Sequence, residues 1–268
     1  MRPRRRRRPP RRRAGGHRVR PLRDRGGSPG GARGRSRSGP SVPRDGAAGR
    51  PLWVPWDDAD VETRAALVRR VGRTLATVHA ERFETHGRIV GGADGLELRR
   101  GTWTDVLGAT VAEMRELAPS DRFADHFERV RTAIEADRER LDGAPAALLH
   151  GDPAAPNCMV TDDRVGFVDW ERAHVGDPGR DLYRARDQIL DPTRGEADDR
   201  LVAALRAGYR ERAGGLPEGY AERRPVYRAV RFLGVSGFFE RYADTLEAPT
   251  DAVAEWASEE FERRLAAL

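Results

Sequence analysis

The sequence predicts a mainly α-helical protein with one small β-hairpin, preceded by a disordered segment rich in Arg, Gly and Pro. Three observations carry this. Residues 1–50 hold 18 Arg, 10 Gly and 7 Pro and almost no large apolar side chains. They cannot bury enough surface to offset an ordering entropy of about 1–2 kcal/mol per residue. From Pro51 onward apolar residues recur at spacings of three and four, the helical period. Around 158–168 that period gives way to two short β-prone runs.

The elements follow in order. The acidic cluster Asp57, Asp58 and Asp60 suits a helix N-terminus, where it opposes the positive end of the macrodipole. Val61, Ala65, Val68, Val71, Leu75 and Val78 then mark one face of a helix ending near His79. A second helix is predicted from Thr104 through Leu107, Val111, Met114 and Leu117, stopped by Pro119. Ser120 is the expected cap of a third, with Phe123, Phe127, Val130, Ile134 and Leu141 in one stripe before Gly143. The pattern changes at Ala146: Cys158–Thr161 and Val165–Val168 flank Asp162-Asp163-Arg164 and predict a hairpin with a short polar turn. Asp177-Pro178 combines a capping oxygen with a fixed φ and opens a helix over about 178–190. Further helices are expected at about 196–213, 222–245 and 250–267, punctuated by Gly214-Gly215 and Pro249.

With 268 residues, 38% hydrophobic and 34% charged, the chain is long enough for a real core, which excludes a fibrous or wholly disordered protein. All 49 basic residues are Arg; there is no lysine. Charge divides at the same boundary as composition, with a net +16 over residues 1–50 and −10 over 51–268. The abrupt switch at Pro51 motivates the reading that residues 1–50 are a gene-model artefact, a wrong start or shifted frame in a G+C-rich gene. As a real tail, the arginines at 4–8 and 11–13 would support only nonspecific contact with nucleic acid, since no interleaved aromatics accompany them. The −10 reads as a solvating surface rather than a trap for a polycation, because the acidic residues are spread over every helix. Cys158 is the only cysteine, which excludes an intrachain disulfide. No apolar run is long enough to span a bilayer and no secretory signal is present, so a cytoplasmic protein without a membrane partner is the expectation.

The residues that carry chemistry lie between the helical halves: His150-Gly-Asp152, Asn157, Asp169-Trp-Glu171, Gly176-Asp-Pro178 and Asp181. The step of five from Asp152 to Asn157 is the Asp-to-Asn step of a protein-kinase catalytic loop, with Gly151 where that loop has Arg. If the two strands pair about Asp163, then Asn157 and Asp169 stand opposite one another, bringing an amide oxygen and a carboxylate to one point. Such hard oxygen donors suit Mg²⁺. Asp152 would sit beside the metal, placed to take a proton from an attacking hydroxyl or to orient it. His150, grouped with Asp152 in the catalytic loop, and Asp181 are expected to fix that loop by hydrogen bonds. Glu171 is a supporting candidate that reaches the metal or the loop, or else makes a structural salt bridge. His79, His86, His126 and His174 share no metal-ligand spacing and read as surface or satisfied core residues. Trp53, Trp56, Trp103 and Trp256 read as packing residues.

This segment resembles the aminoglycoside phosphotransferase family, a branch of the protein-kinase-like fold that phosphorylates small molecules. Leu149-His-Gly-Asp152, Asn157, Asp169-Trp-Glu171, Gly176-Asp-Pro178 and Asp181-Leu match its motifs in order, and Gly72–His79 is similar to the helix before its catalytic loop. The resemblance implies that residues 51–268 form the helical C-terminal lobe of such a fold. It further implies Asp152 as catalytic base, Asn157 and Asp169 as the pair holding Mg²⁺, ATP or GTP as donor, and a small-molecule hydroxyl as acceptor. The family places a β-rich lobe with a nucleotide-contacting lysine before the helical one. Here the corresponding stretch is residues 1–50, without strand alternation or lysine. The expected function is therefore an ATP-dependent phosphotransferase acting on a small-molecule hydroxyl, its activity in this chain open. A catalytically silent kinase-like binding module is the competing reading. No motif in 190–268 names the acceptor.

Overall fold

The computed structural model describes residues 49–92, 95–190 and 197–268, which belong to a unit running from Asp45 to Leu268. The expectation for residues 1–50 lies outside the described residues save for Gly49 and Arg50.

The chain enters through β1 (Arg50–Pro51) and a short turn of helix, α1 (Trp53–Trp56). Helix α2 (Val61–Val78) starts where the acidic cluster predicts it, the Asp60 carboxylate accepting from the Thr63 N–H at 2.8 Å. Its buried face is Leu67, Val68, Val71, Gly72, Leu75 and Ala76. Next come β2 (His86–Gly91), β3 (Glu97–Gly101) and α3 (Trp103–Leu117), the last opened by a reciprocal capping box between Thr102 and Asp105. Helices α4 (Ala124–Ala136) and α5 (Arg138–Asp142) lead into β4 (Ala147–Leu149), β5 (Cys158–Val160), β6 (Val165–Phe167) and β7 (His174–Gly176). The C-terminal half is α6 (Pro178–Leu190), α7 (Asp199–Ala213), α8 (Tyr220–Gly237), α9 (Phe239–Ala243) and α10 (Thr250–Leu265). Gly214, left-handed at φ 81°, ends α7 as the Gly-Gly punctuation predicts.

Two antiparallel sheets flank the site segment, ordered β1-β5-β6 and β3-β2-β7-β4. Helix α8 packs against α6 and α10, α3 lies against α4 and α8, and α2 crosses α7. The core holds Trp103, Leu75, Leu107, Ile134, Leu149, Phe232, Phe239 and Phe261. No helix among the described residues is long and apolar enough to cross a membrane.

The structure corrects the sequence reading in four places. The third predicted helix breaks at Asp137, and Ser120 bonds the Arg122 N–H while Phe123 occupies the cap. The break keeps the apolar stripe in phase, because the Leu141 N–H still bonds the Asp137 carbonyl at 3.0 Å, so periodicity cannot register it. The helix expected over 222–245 begins at Tyr220 and breaks at Phe238. The one expected from 196 begins at Asp199, capped by the Asp198 carboxylate. Strands β2 and β3 fall in a region read as helical. Gly and Arg break up their strand signal, leaving Ile89-Val90 as the one β-branched pair, and the β2 pairing with β3 and β7 makes up for weak local propensity.

Candidate active site

Strand β4 delivers the chain to His150, and Gly151 then turns it at φ +83°, where a Cβ would lie 2.1 Å from the Arg172 carbonyl oxygen. Only glycine fits both the turn and that approach. The turn is held from α6: the buried Asp181 carboxylate accepts from the His150 N–H at 2.7 Å and from the Gly151 N–H at 3.1 Å. Burial works against the Asp181 charge, but the neighbouring His79, 3.6 Å away, and Arg180 outweigh it and hold its carboxyl well below the usual range. The His150 ring joins the loop to the hairpin. Its Nε2–H donates to the Val168 carbonyl at 2.9 Å, and its Nδ1 accepts from the Asp152 N–H at 3.2 Å. Both expected loop-fixing residues are thus in contact with the segment that carries Asp152.

A single 3-10 turn, Ala155–Asn157, leads into β5. The Asn157 Nδ2–H donates to the Asp152 carbonyl at 3.0 Å, leaving Oδ1 as a lone-pair donor. The hairpin register differs by one residue from the expected one. Cys158 pairs with Phe167, the Val168 N–H bonds the Asn157 carbonyl at 3.0 Å, and Thr161 bonds Arg164 across a two-residue turn, Asp162-Asp163. Asn157 therefore stands opposite Val168, one residue short of Asp169, so strand pairing does not set the two side chains face to face as expected. Asp169 has φ 65°, the left-handed region, and is the one non-glycine residue described with positive φ. Asp tolerates that region better than most side chains, yet the strain of such a position is characteristic of functional segments. The Asp169 side chain is exposed, and no group among the described residues hydrogen-bonds its carboxylate. Glu171 is exposed in the same turn and is likewise without a hydrogen-bond partner there.

Asp152 is half-buried, and two residues that the sequence reading missed hold it. Arg184 Nη2–H donates to Oδ1 at 2.9 Å, Nε–H to the same oxygen at 3.2 Å, and Gln188 Nε2–H to it again at 2.9 Å. Burial alone would raise this carboxyl, but the Arg184 charge and the Gln188 and Arg184 hydrogen bonds outweigh it and keep it below the usual carboxylate range. Oδ2 is left without a partner among the described residues. The missed signal was periodic: Asp181, Arg184 and Gln188 are three and four apart on α6, so the face that fixes the loop also faces its carboxylate.

Asp152 lines a cleft of about 220 Å³ between α3, α6 and α8, which shares Thr110, Met114, Leu117, Arg172, Arg180 and Arg184 with a second hollow of about 270 Å³. His79, His86, His126 and His174 are all buried, which agrees with a core rather than a surface position, but the Nε2 atoms of His79 and His86 are left without a hydrogen-bond partner among the described residues. Among the described residues no three His, Cys, Asp or Glu side chains cluster as a metal cage. Asn157 Oδ1 and the exposed Asp169 carboxylate are hard oxygen donors, the kind Mg²⁺ takes alongside water and phosphate oxygen.

The model of the phosphotransferase enzyme family matches residues 31–226. A search of curated sequences finds no match. Among solved structures the chain is similar to a thermostable mutant of aminoglycoside phosphotransferase APH(4)-Ia in complex with ADP and hygromycin B, with a TM-score of 0.52 and 16% identity over 81% of this chain and 68% of that one. The apo form gives a TM-score of 0.52 and 18% identity over 82% and 70% of the two chains. Choline kinase LicA from Streptococcus pneumoniae gives a TM-score of 0.49 and 17% identity over 78% and 66%. The first two show the protein-kinase-like fold. The chain spans about two thirds of the length of these solved chains.

Proposed function

The chain belongs to the phosphotransferase enzyme family, whose model matches residues 31–226, and from that premise we propose that it transfers the γ-phosphoryl group of ATP or GTP to a hydroxyl of a small molecule. The observation that carries this reading is the state of Asp152: a carboxylate fixed through Oδ1 by Arg184 and Gln188, with Oδ2 unengaged in a cleft.

In this reading the acceptor hydroxyl donates its hydrogen bond to Oδ2, which aligns the oxygen for attack in line with the leaving diphosphate. Because Asp152 is a weak base, orientation is its main service, and the hydroxyl proton passes to Oδ2 as the new P–O bond forms and the bond to the diphosphate breaks. Asn157 through Oδ1 and Asp169 through its carboxylate would hold Mg²⁺, which supplies charge neutralisation to the phosphates. His150 and Asp181 keep the loop and the hairpin in one geometry.

The test is a screen of small hydroxyl compounds with Mg-ATP, reading ADP release and phosphorylated product. Asp152→Asn is expected to lower turnover by about 10²–10⁴-fold while the melting profile stays that of a folded protein. Undiminished turnover in Asp152→Asn would defeat the assignment. The absence of lysine favours a second reading, a catalytically silent kinase-like binding module. It predicts thermal stabilisation by Mg-ATP with no product from any acceptor.

A further inference from the structure

Resting on the phosphotransferase reading, we propose that the acceptor carries an anionic group, a carboxylate or a phosphate monoester, and that Arg180, assisted by Arg172, is the residue that selects it.

The 220 Å³ cleft is lined by Asp152 but by neither Asn157 nor Asp169, which puts it on the acceptor side of the base. Its charged lining is four arginines, 172, 180, 184 and 231, against the single carboxylate of Asp152. Two of these cations are already matched: Arg184 by Asp152 at 2.9 Å and Arg231 by Asp187 at 2.7 Å. The other two are not. Among the described residues neither Arg172 nor Arg180 has an acidic side chain within ion-pair distance.

Arg180 is only 6% exposed, yet its one side-chain hydrogen bond runs from Nη1–H to His174 Nε2 at 2.8 Å. That histidine brings no countercharge. Its Nδ1–H donates to the Arg172 carbonyl at 2.8 Å, so Nε2 carries the lone pair, and burial together with the Arg180 charge pushes its pKa down to about 4. The neighbouring Asp181 carboxylate is engaged by the His150 and Gly151 N–H groups and makes no ion pair with Arg180. Burial pulls the Arg180 guanidinium down to about 10, although the Asp181 charge acts the other way, so it stays charged at neutral pH with no carboxylate in direct ion-pair contact. A buried cation with no direct ion pair is costly to hold, and the remaining N–H donors of its planar fork match a carboxylate or phosphate in bidentate fashion. The local field opposes the −10 of residues 51–268, and at contact distance local charge outweighs a distributed one screened within about 10 Å.

The test measures thermal shifts of the full chain, without nucleotide and at constant ionic strength, with glycerate, 3-phosphoglycerate, glycerol and ethanolamine as probes. The anions are expected to raise Tm by a few degrees and the neutral and cationic alcohols not at all. Arg180→Met should lose the anion shift while its own Tm stays at or above that of the parent, since an uncompensated charge has gone. Arg172→Gln, at an exposed position, should weaken the shift without touching the fold. Equal shifts with glycerol or ethanolamine, no shift with either anion, or an undiminished shift in both variants would overturn the proposal. So would a shift confined to Mg-ATP, which would mean that these arginines serve the donor phosphates. Asp152→Asn should lower turnover by about 10²–10⁴-fold yet keep the anion shift, so failure of the phosphotransferase reading and failure of this one are told apart.

Discussion

Both oxygens of Asp152 matter, and in different ways. Arg184 and Gln188 act on Oδ1 alone, so they set the acidity and the aim of the group while Oδ2 stays open. Removing either donor must raise the carboxyl, because burial then acts with less opposition. For a reaction that needs the ionised form, the acid limb of the pH–turnover profile should move to higher pH, further in Arg184→Leu, which loses charge and two hydrogen bonds, than in Gln188→Leu. Superimposable profiles would show that the contacts do not tune the base. At this scale the sequence was informative about which side chains gather and blind to how they are held. Asp152, Asn157, His150 and Asp181 were legible from spacing, and their mutual hydrogen bonds follow it. Arg184 was hidden because an arginine on a charged helix is ordinarily a solvated residue. The backbone state of Asp169 was hidden because a one-residue register change leaves no trace in a hairpin's composition.

Elements meet most closely where α2 crosses α7. A Cβ on Gly72 would lie 2.1 Å from the Leu205 carbonyl oxygen, and one on Gly208 would lie 1.8 Å from that of Arg69. These are backbone atoms of the facing helix and cannot swing aside. Gly208→Ala gains up to about 1 kcal/mol of helix propensity but must push the helices apart, an overpacking that costs typically about 1–3 kcal/mol. The net expectation is a loss, read as a lower urea midpoint; a rise would mean that the crossing is looser than the distances imply. Acid should act on a different contact. His126 on α4 bonds Ser236 of α8 at 2.8 Å and stacks on Phe261 of α10, and burial lowers it to about 4, as it does His174. In the unfolded chain both titrate near 6.5, so between pH 6.5 and 4 the unfolded state binds more protons and stability must fall as pH falls. Melting curves should show Tm dropping across that window, with a smaller drop in His126→Gln; a flat Tm there would exclude neutral buried histidines. The long amphipathic helices were legible because burial of one face imposes the 3.6-residue period. The hairpin β2–β3 was not, since β2 is anchored in its sheet by β7, a partner distant in sequence.

On the scale of the whole molecule the division at Pro51, drawn from composition alone, is retained as a proposal with a definite boundary. The family match begins at residue 31, inside the Arg-rich stretch, whereas contacts divide the chain between Arg44 and Asp45. Arg50 already pairs with Val160 and Leu52 bonds the Cys158 carbonyl at 2.8 Å, so the folded part claims the chain at least from there. Trypsin separates these boundaries, because arginines stand at 33, 35, 37 and 44 as well as throughout the first 25 residues. A segment whose sequence offers almost no large apolar side chains to bury has little to resist local opening and is expected to be cut first. The expected early product therefore starts at Asp45, with cleavage after Arg50 suppressed by Pro51 and by strand pairing, and persists while the tail is lost. A resistant product whose N-terminus lies before Arg33 would place the residues of the family match inside the fold and move the boundary accordingly. The two outcomes differ by more than ten residues, which mass measurement of the limit fragment resolves directly.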